Sequence, residues 1–219
     1  MAYNNGPRIV TDGLVLHLDA ANRDSYPGTG NTWYNLAPLS MNFTLQNSPA
    51  WDGKSLDFST NEYADRSGST LNFADDYTCI SFSDILDTPS SWRTLIRGDY
   101  EHPVIIDTSN NLGWYSNLGG GFRSCGYNVE TGGIESRWSM MTLLGENGST
   151  NKFYVDGGNQ VGSSTTNTAG NNCSGRGHYR ICWPAQPWGK ISTLLFYNRA
   201  LSTDEMDINY KALKGRFGL

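Results

Sequence analysis

Charge is what this chain has least of. Only 17% of its 219 residues are Asp, Glu, Lys or Arg, too few to line long solvent-facing helices, so helix should be a minor element. Clusters of Lys and Arg are missing and the net charge is -5. Without a basic patch there is no electrostatic grip on a phosphate backbone, which excludes nucleic acid as the expected partner. No run approaches the roughly 18 apolar residues of a membrane span. The opening Met1-Ala2-Tyr3-Asn4-Asn5-Gly6-Pro7 has neither a basic region nor an apolar stretch, so no signal peptide is expected and synthesis in a cytoplasm is. Cys-x-x-Cys is also absent, and His17, His102 and His178 stand far apart, so nothing calls for a metal. The four cysteines read as free thiols of a reducing compartment or, for Cys173 and Cys182, as a disulfide closing a hairpin.

What the chain does have is 25 Gly, 12 Tyr and 7 Trp, a composition suited to short strands joined by tight turns. Leu14, Leu16 and Leu18 alternate with His17 and Asp19, the period of a half-buried strand. The same reading predicts strands at 55–59, 77–82, 93–97, 103–107, 111–115, 138–144, 152–156, 179–183 and 191–197. Gly119-Gly120-Gly121 reads as a hairpin turn; it lacks the spaced glycines of a phosphate cradle. Asp156-Gly157 is a turn signal. At the end of the chain, Ser202 and Glu205 are placed for a capping box and Leu201 and Met206 for a hydrophobic staple. Met206, Tyr210 and Leu213 then share a helical face, with Gly215 as the stop. The expected architecture is all-β: a two-sheet antiparallel jelly-roll sandwich over residues 13–219 with a short C-terminal helix, preceded by a polar arm, 1–12. No internal repeat or second composition zone suggests another domain.

Particular segments carry a likeness. Ile9 to Asn22, Ser25-Tyr26-Pro27-Gly28, Thr32 to Leu36, Phe153-Tyr154-Val155-Asp156-Gly157, Gly189-Lys190-Ile191 and Phe196 to Ser202 resemble the laminin-G-like, concanavalin A-like lectin/glucanase domains of tailed-phage proteins. The likeness covers both ends and touches the middle loosely. It departs at Ala37-Pro38-Leu39-Ser40, where many relatives have a Gly-Asn-rich turn, and at the hairpin lengthened by Gly158-Asn159-Gln160. The resemblance implies a virion protein: a capsid-decoration subunit bound to the major capsid protein or to copies of itself, as a homo-oligomer, or alternatively a tail or fibre module that recognises a host surface glycan.

Catalysis finds little footing. Glycoside hydrolysis needs two carboxylates flanking the bond, and the densest acidic cluster, Asp204, Glu205 and Asp207, opens the helix, where acids meet the amide dipole. Neither a Gly-x-Ser-x-Gly elbow nor a cysteine in a nucleophile setting appears. No enzyme activity and no cofactor are therefore expected. Asp99 and Asp107 are the positions at which a calcium ion could be held, against their ordinary reading as turn residues. Sugar binding needs an exposed aromatic face with hydrogen-bonding neighbours. Two clusters supply those types: Trp114, Tyr115 and Asn117 with Arg123, and Trp183 with Trp188. Against them stands the ordinary role of tryptophan in a sandwich, filling the core or its edge.

Overall fold

The computed structural model describes residues 8–39, 41–68, 71, 76–88, 90–98, 100–117, 120–146, 150–165 and 178–219. In chain order the strands are β1 (Leu14–Asp19), β2 (Thr32–Trp33), β3 (Phe43–Gln46), β4 (Ala50–Trp51), β5 (Leu56–Phe58) and β6 (Tyr63–Ser67). They continue with β7 (Tyr77–Ile85), β8 (Arg93–Arg97), β9 (Glu101–Ile106), β10 (Asn111–Ser116) and β11 (Gly121–Asn128). The last are β12 (Trp138–Glu146), β13 (Thr150–Val155), β14 (Asn159–Thr165), β15 (His178–Ile181) and β16 (Gly189–Tyr197), before helix α1 (Thr203–Lys214) and a 3-10 turn, Gly215–Phe217. The first sheet runs β14-β13-β12-β7-β16-β5-β4 with β1 also on β16; the second runs β11-β10-β9-β8-β15-β6-β3-β2. The pairings between these strands are antiparallel. The protein is thus the two-sheet antiparallel sandwich with one short C-terminal helix that the alternation predicts.

The two sheets enclose one core, in which Leu16, Leu18, Trp33, Phe58, Val104, Ile106, Trp114, Phe153, Trp188 and Phe196 interdigitate. A second apolar cluster lies on the opposite face of the first sheet. There Ile80, Phe82, Met140, Leu144, Leu195 and Tyr197 meet Leu201, Met206 and Leu213 of the helical end. Strands β7, β12 and β16 are therefore buried on both faces, which is why they read as nearly continuous apolar runs. Burying side chains such as Met206 and Leu213 stabilises the docked helix by about 2 kcal/mol each. Phe217 adds a stack on Trp138, centroids 4.1 Å apart. Helix α1 covers the outer face of the first sheet; among the described residues no helix covers that of the second.

Both halves of the capping box form: Ser202 Oγ accepts from the Glu205 amide, and the Glu205 carboxylate accepts from the Ser202 amide. Arg199 also grips Glu205 through two nitrogens, and with those bonds the carboxyl is held down to about 2. Asp207 accepts from the Gly158 amide at 2.8 Å, tying the β13–β14 hairpin to the helix. The acidic cluster is thus occupied in structure.

Two local expectations need correction. Leu14 does not share a face with Leu16 and Leu18, because the β1–β16 register shifts between Leu14 and Leu16; the bulge turns Leu14 outward to the helix side. Gly215 ends α1 as its C-cap, but without the left-handed turn of a glycine stop. It is right-handed (φ -59°) and continues into the 3-10 turn, and the left-handed stop is Gly218 (φ 73°).

The free edge of β1 is covered by the Leu36 amide, which donates to the His17 carbonyl at 2.9 Å, by Ser25 Oγ, which accepts from the Asp19 amide at 3.0 Å, and by the Asn35 side chain. Asn35 Oδ1 accepts from the His17 and Ala37 amides at 2.7 and 3.0 Å. Its Nδ2 donates to the carbonyls of Val15 and Leu39 at 3.1 and 2.7 Å. Asn35→Ala is expected to lower stability by about 1–3 kcal/mol, because partly buried backbone groups lose their partner. In urea the midpoint should fall with the slope unchanged; an unmoved midpoint would show that water serves the edge equally well.

Candidate functional site on the open face of the second sheet

Strand β8 sets up the site by breaking its own alternation. The register with β9 shifts between Thr94 and Ile96, so Leu95 and Ile96 both enter the core while Thr94 and Arg97 face outward. On β9, His102 and Ile105 face outward and Val104 and Ile106 inward; on β10, Tyr115 is outward between Trp114 and Ser116. Trp92, Arg97, His102, Ile105, Tyr115, Asn117 and Gln186 together line a cavity of about 200 Å³.

Aromatic rings form one wall. Trp92 meets Tyr115 and Phe122 edge-on, with centroids 5.5 and 5.4 Å apart, and His102 meets Tyr115 likewise at 5.7 Å. Hydrogen bonds form the floor. Asn117 Nδ2 lies 3.4 Å from His102 Nε2, His102 Nδ1 lies 3.1 Å from Thr94 Oγ1, and the Thr94 hydroxyl donates to Gln186 Oε1 at 2.6 Å. One assignment satisfies the chain: Asn117 donates to Nε2, and Nδ1–H donates to Thr94. It requires a neutral imidazole. Burial, followed by the charge of Arg97, pushes His102 down to about 3, in agreement. The chain of bonds leaves the Asn117 carbonyl oxygen and the Gln186 amide N–H groups to face a ligand.

Beyond Gln186 a tight turn brings Trp183 beside it, closed by the Gln186 amide donating to the Trp183 carbonyl at 2.8 Å. Over this indole lie two guanidinium groups, Arg97 at 3.9 Å and Arg180 at 4.7 Å from the ring centroid. Arg180 also lies 5.5 Å from the Tyr63 ring and pairs with Asp65 through Nε at 3.2 Å. The open face thus carries a band of alternating aromatic and guanidinium planes across β6, β15 and β8 to β10.

The structure divides the residues singled out in the sequence. Tyr115, Asn117 and Trp183 stand on this face. Trp114 does not: it is 2% exposed, and its Nε1 donates to Glu101 Oε2 at 2.6 Å. Trp188 is fully buried, donating to Ser83 Oγ. Neither tryptophan offers a platform: strand alternation turns Trp114 into the core, and Trp188, just before β16, is held there by backbone bonds to Phe58 and Leu86. Arg123 is the direct cross-strand partner of Trp114 and so shares its face, away from Tyr115. Sequence patterns do not mark Trp92, Arg97, His102, Ile105 or Gln186 as members of a site. The bulge that brings Arg97 outward leaves no local signal, and Gln186 sits in a Pro-flanked turn with no pattern at all.

The other candidates have structural roles. Asp107 accepts from the Ser109 and Asn111 amides at 2.9 and 2.8 Å, closing its own turn; Asp99 lies outside the described residues. Among the described residues no group of three His, Cys, Asp or Glu is placed to hold a metal. Cys79, Cys125 and Cys182 are buried free thiols, and burial pushes Cys79 up to about 12 and Cys125 to about 11. Cys173, partner of Cys182 in the alternative disulfide reading, lies outside the described residues. A larger cavity of about 960 Å³ separates the loop 36–38 from the end of α1, lined by Arg8, Leu14, His17, Pro38, Leu213 and Arg216 among others. Among the described residues it has no aromatic ring other than His17 on which a planar or saccharide ligand could stack, so the smaller pocket is the better-equipped one.

The chain matches no family model and no curated protein sequence. Solved structures do resemble it. Trypanosoma rangeli sialidase in complex with sialic acid superposes with a TM-score of 0.65 at 17% identity, over 93% of this chain and 33% of that one. The botulinum neurotoxin serotype D binding domain gives 0.69 at 11% identity, over 93% and 53%. A second structure, of the receptor binding domain of botulinum neurotoxin D, gives 0.66 at 12% identity, over 92% and 53%. This chain therefore spans about a third of the sialidase and about half of the neurotoxin chains. At these identities the likeness is one of fold alone: the chain is a β-sandwich of the kind those larger proteins contain.

Proposed function

We propose that this protein is a non-catalytic glycan-binding module, and that its sugar site is the pocket between Trp92, Tyr115, Asn117 and Gln186. One observation carries the reading. The sheet face left uncovered by α1 holds a concavity with aromatic rings on one wall and side-chain amides on the other, the pairing that a sugar's apolar face and hydroxyls require. Among the described residues, no acidic side chain lines it. That supports binding over hydrolysis, which needs a carboxylate on each side of the scissile bond. The resemblance of the terminal segments to tailed-phage domains supplies the setting: a tail or fibre module of a virion, with a host surface glycan as its ligand.

A glycan array tests this directly. Saturable binding to at least one glycan is expected, weakened about tenfold or more by Trp92→Ala and by Gln186→Ala. Silence on every sugar, or binding indifferent to both substitutions, would remove the reading.

A capsid-decoration subunit is the second reading, and the arrangement of the chain ends favours it. Residues 8–12 run along the helix: the Val10 amide donates to Asn209 Oδ1 and the Tyr197 hydroxyl to the Val10 carbonyl, at 2.8 and 2.9 Å. Ile9, Val10 and the C-terminal helix are thereby gathered on one side, opposite the sugar pocket, and a capsid neighbour could engage that side with the pocket left free. Immunogold electron microscopy of purified particles separates the two: label over the capsid shell supports decoration, and label confined to the tail supports receptor recognition.

A further inference from the structure

We propose that the cavity between the end of α1 and the loop 36–38 binds an aliphatic carboxylate, its alkyl chain against the apolar wall and its anionic head among Arg8, Lys211 and Arg216. The site lies on the helix side of the sandwich and does not depend on the sugar-binding reading.

The cavity continues the second apolar cluster, not the main core. Leu14, brought to this side by the bulge in β1, and Leu213 of α1 belong to that cluster, and Ile9, Leu36, Ala37 and Ala212 extend the aliphatic lining beside them. Packed interiors leave few voids larger than a water molecule, yet the described residues leave about 960 Å³ between these walls. Each wall is held by its own contacts. Asn35 clamps the loop to β1 through the backbone of Val15 and His17 on one side and of Ala37 and Leu39 on the other. Helix α1 is anchored separately, by Met206 and Leu213 in the apolar cluster and by the bond from the Val10 amide to Asn209 Oδ1. A ligand thus meets walls already in place, which keeps the ordering cost of binding low. Aliphatic walls with no Phe, Tyr or Trp among the described lining residues favour a flexible alkyl chain over a planar or saccharide ligand.

Charge selects the head group. Arg8, Lys211 and Arg216 line the cavity and, among the described residues, no Asp or Glu does, although the chain as a whole carries a net charge of -5. The side chains of Arg8 and Lys211 make no hydrogen bond or ion pair among the described residues. Arg216 donates through Nη1 to both oxygens of Asp19 at 2.8 Å, so this neighbouring acid, 1% exposed, is neutralised where it stands. Lys211 also offsets the dipole at the end of α1, but Arg8, in the segment before β1, has no such role. All three cations are exposed, and water and salt limit what each contributes. The alkyl chain must therefore supply most of the affinity, and the cations fix which end of the ligand faces water.

Calorimetric titration of the intact chain with hexanoate, octanoate and decanoate, each kept monomeric, tests the idea without altering the fold. Saturable binding is expected, about threefold tighter for each added methylene. Decanoate should bind about tenfold tighter than decylammonium, the preference shrinking as salt is raised. The double variant Arg8→Gln/Lys211→Gln, at two exposed positions, should erase that preference, and Ala37→Trp, which fills the cavity, should abolish binding. If Ala37→Trp melts early, the chain-length and charge comparisons on the unaltered chain still decide. Equal binding of decanoate and decylammonium, an affinity indifferent to chain length, or no binding at all would each overturn the proposal. Retention on phosphatidylglycerol vesicles without binding of monomeric decanoate would make the cations a membrane-facing patch instead. Binding of an acidic, leucine-containing peptide in place of decanoate would make the cavity a protein contact, and either result overturns the ligand class.

Discussion

Arg93→Ala is expected to lower the stability of this protein by about 3–5 kcal/mol, the cost of leaving a buried charge without its partner. Arg93 opens β8 and is wholly buried. Its Nη1 donates to the Leu86 carbonyl at 2.6 Å and to the Glu135 carboxylate; its Nη2 donates to Asn110 Oδ1. Asn110 in turn donates to Glu130 at 2.8 Å. One guanidinium thus joins the end of β7, the β9–β10 turn and the segment before β12. Removing it strands the Glu135 side chain, itself only 7% exposed, in a site that water enters poorly. With total stabilities of about 5–15 kcal/mol typical, the thermal midpoint should fall on the order of 10 °C. The ion pair as a whole is worth far less than its disruption suggests, since both charges give up hydration to form it. The double variant Arg93→Met/Glu135→Leu should therefore recover most of the loss, and a double-mutant cycle measures the coupling. Equal, additive losses from the two single changes would show that the pair does not act as a unit.

The second large effect is loss of stability in acid, traced to His102. In the folded protein burial pushes this imidazole down to about 3, with the Arg97 charge acting in the same direction; in the unfolded chain it titrates near 6.5. Between those values the unfolded state binds a proton that the folded state refuses. The contribution is accordingly whole above pH 6.5 and is lost as pH falls toward 3, at up to about 1.4 kcal/mol per pH unit. His17 is lowered too, by burial that outweighs its neighbour Asp19 and is aided by Arg216, and adds in the same sense. Glu101 works the other way, because burial raises its carboxyl despite the hydrogen bonds from Ser116 and Trp114. The difference between wild type and His102→Gln removes these shared contributions. Urea midpoints from pH 7 to 4 should fall more steeply for wild type than for the variant; parallel curves would show that His102 takes up a proton in the native state without cost.

Strand alternation carries far in this chain. Leu16 and Leu18, Leu56 and Phe58, and Phe153 and Val155 point into the core as their spacing requires, because a pleated backbone leaves each side chain only two directions. The helix start is equally legible, since Ser202, Glu205, Leu201 and Met206 interact within a few residues of one another. Where alternation misleads, a bulge intervenes. One extra residue at Leu14 and another near Thr94 reverse the face of the residues after them, and nothing in the local residue types announces either.

The candidate pocket shows the same division. Trp114 and Tyr115 are adjacent in the chain and by residue type form one sugar-binding cluster, but the period that makes them a strand also puts them on opposite faces. Which of the two faces water depends on where the helix comes to rest. Short-range chemistry within the sequence settled the all-β class, the inward positions of regular strands and the helix cap, because each involves residues within a few positions of one another. Only the tertiary structure decided which sheet the helix covers, and which of Trp92, Arg97, His102, Asn117, Arg180 and Gln186 meet on the other. Those residues come from separate strands and turns, and their approach depends on sheet order, bulges and register rather than on any neighbour in the chain.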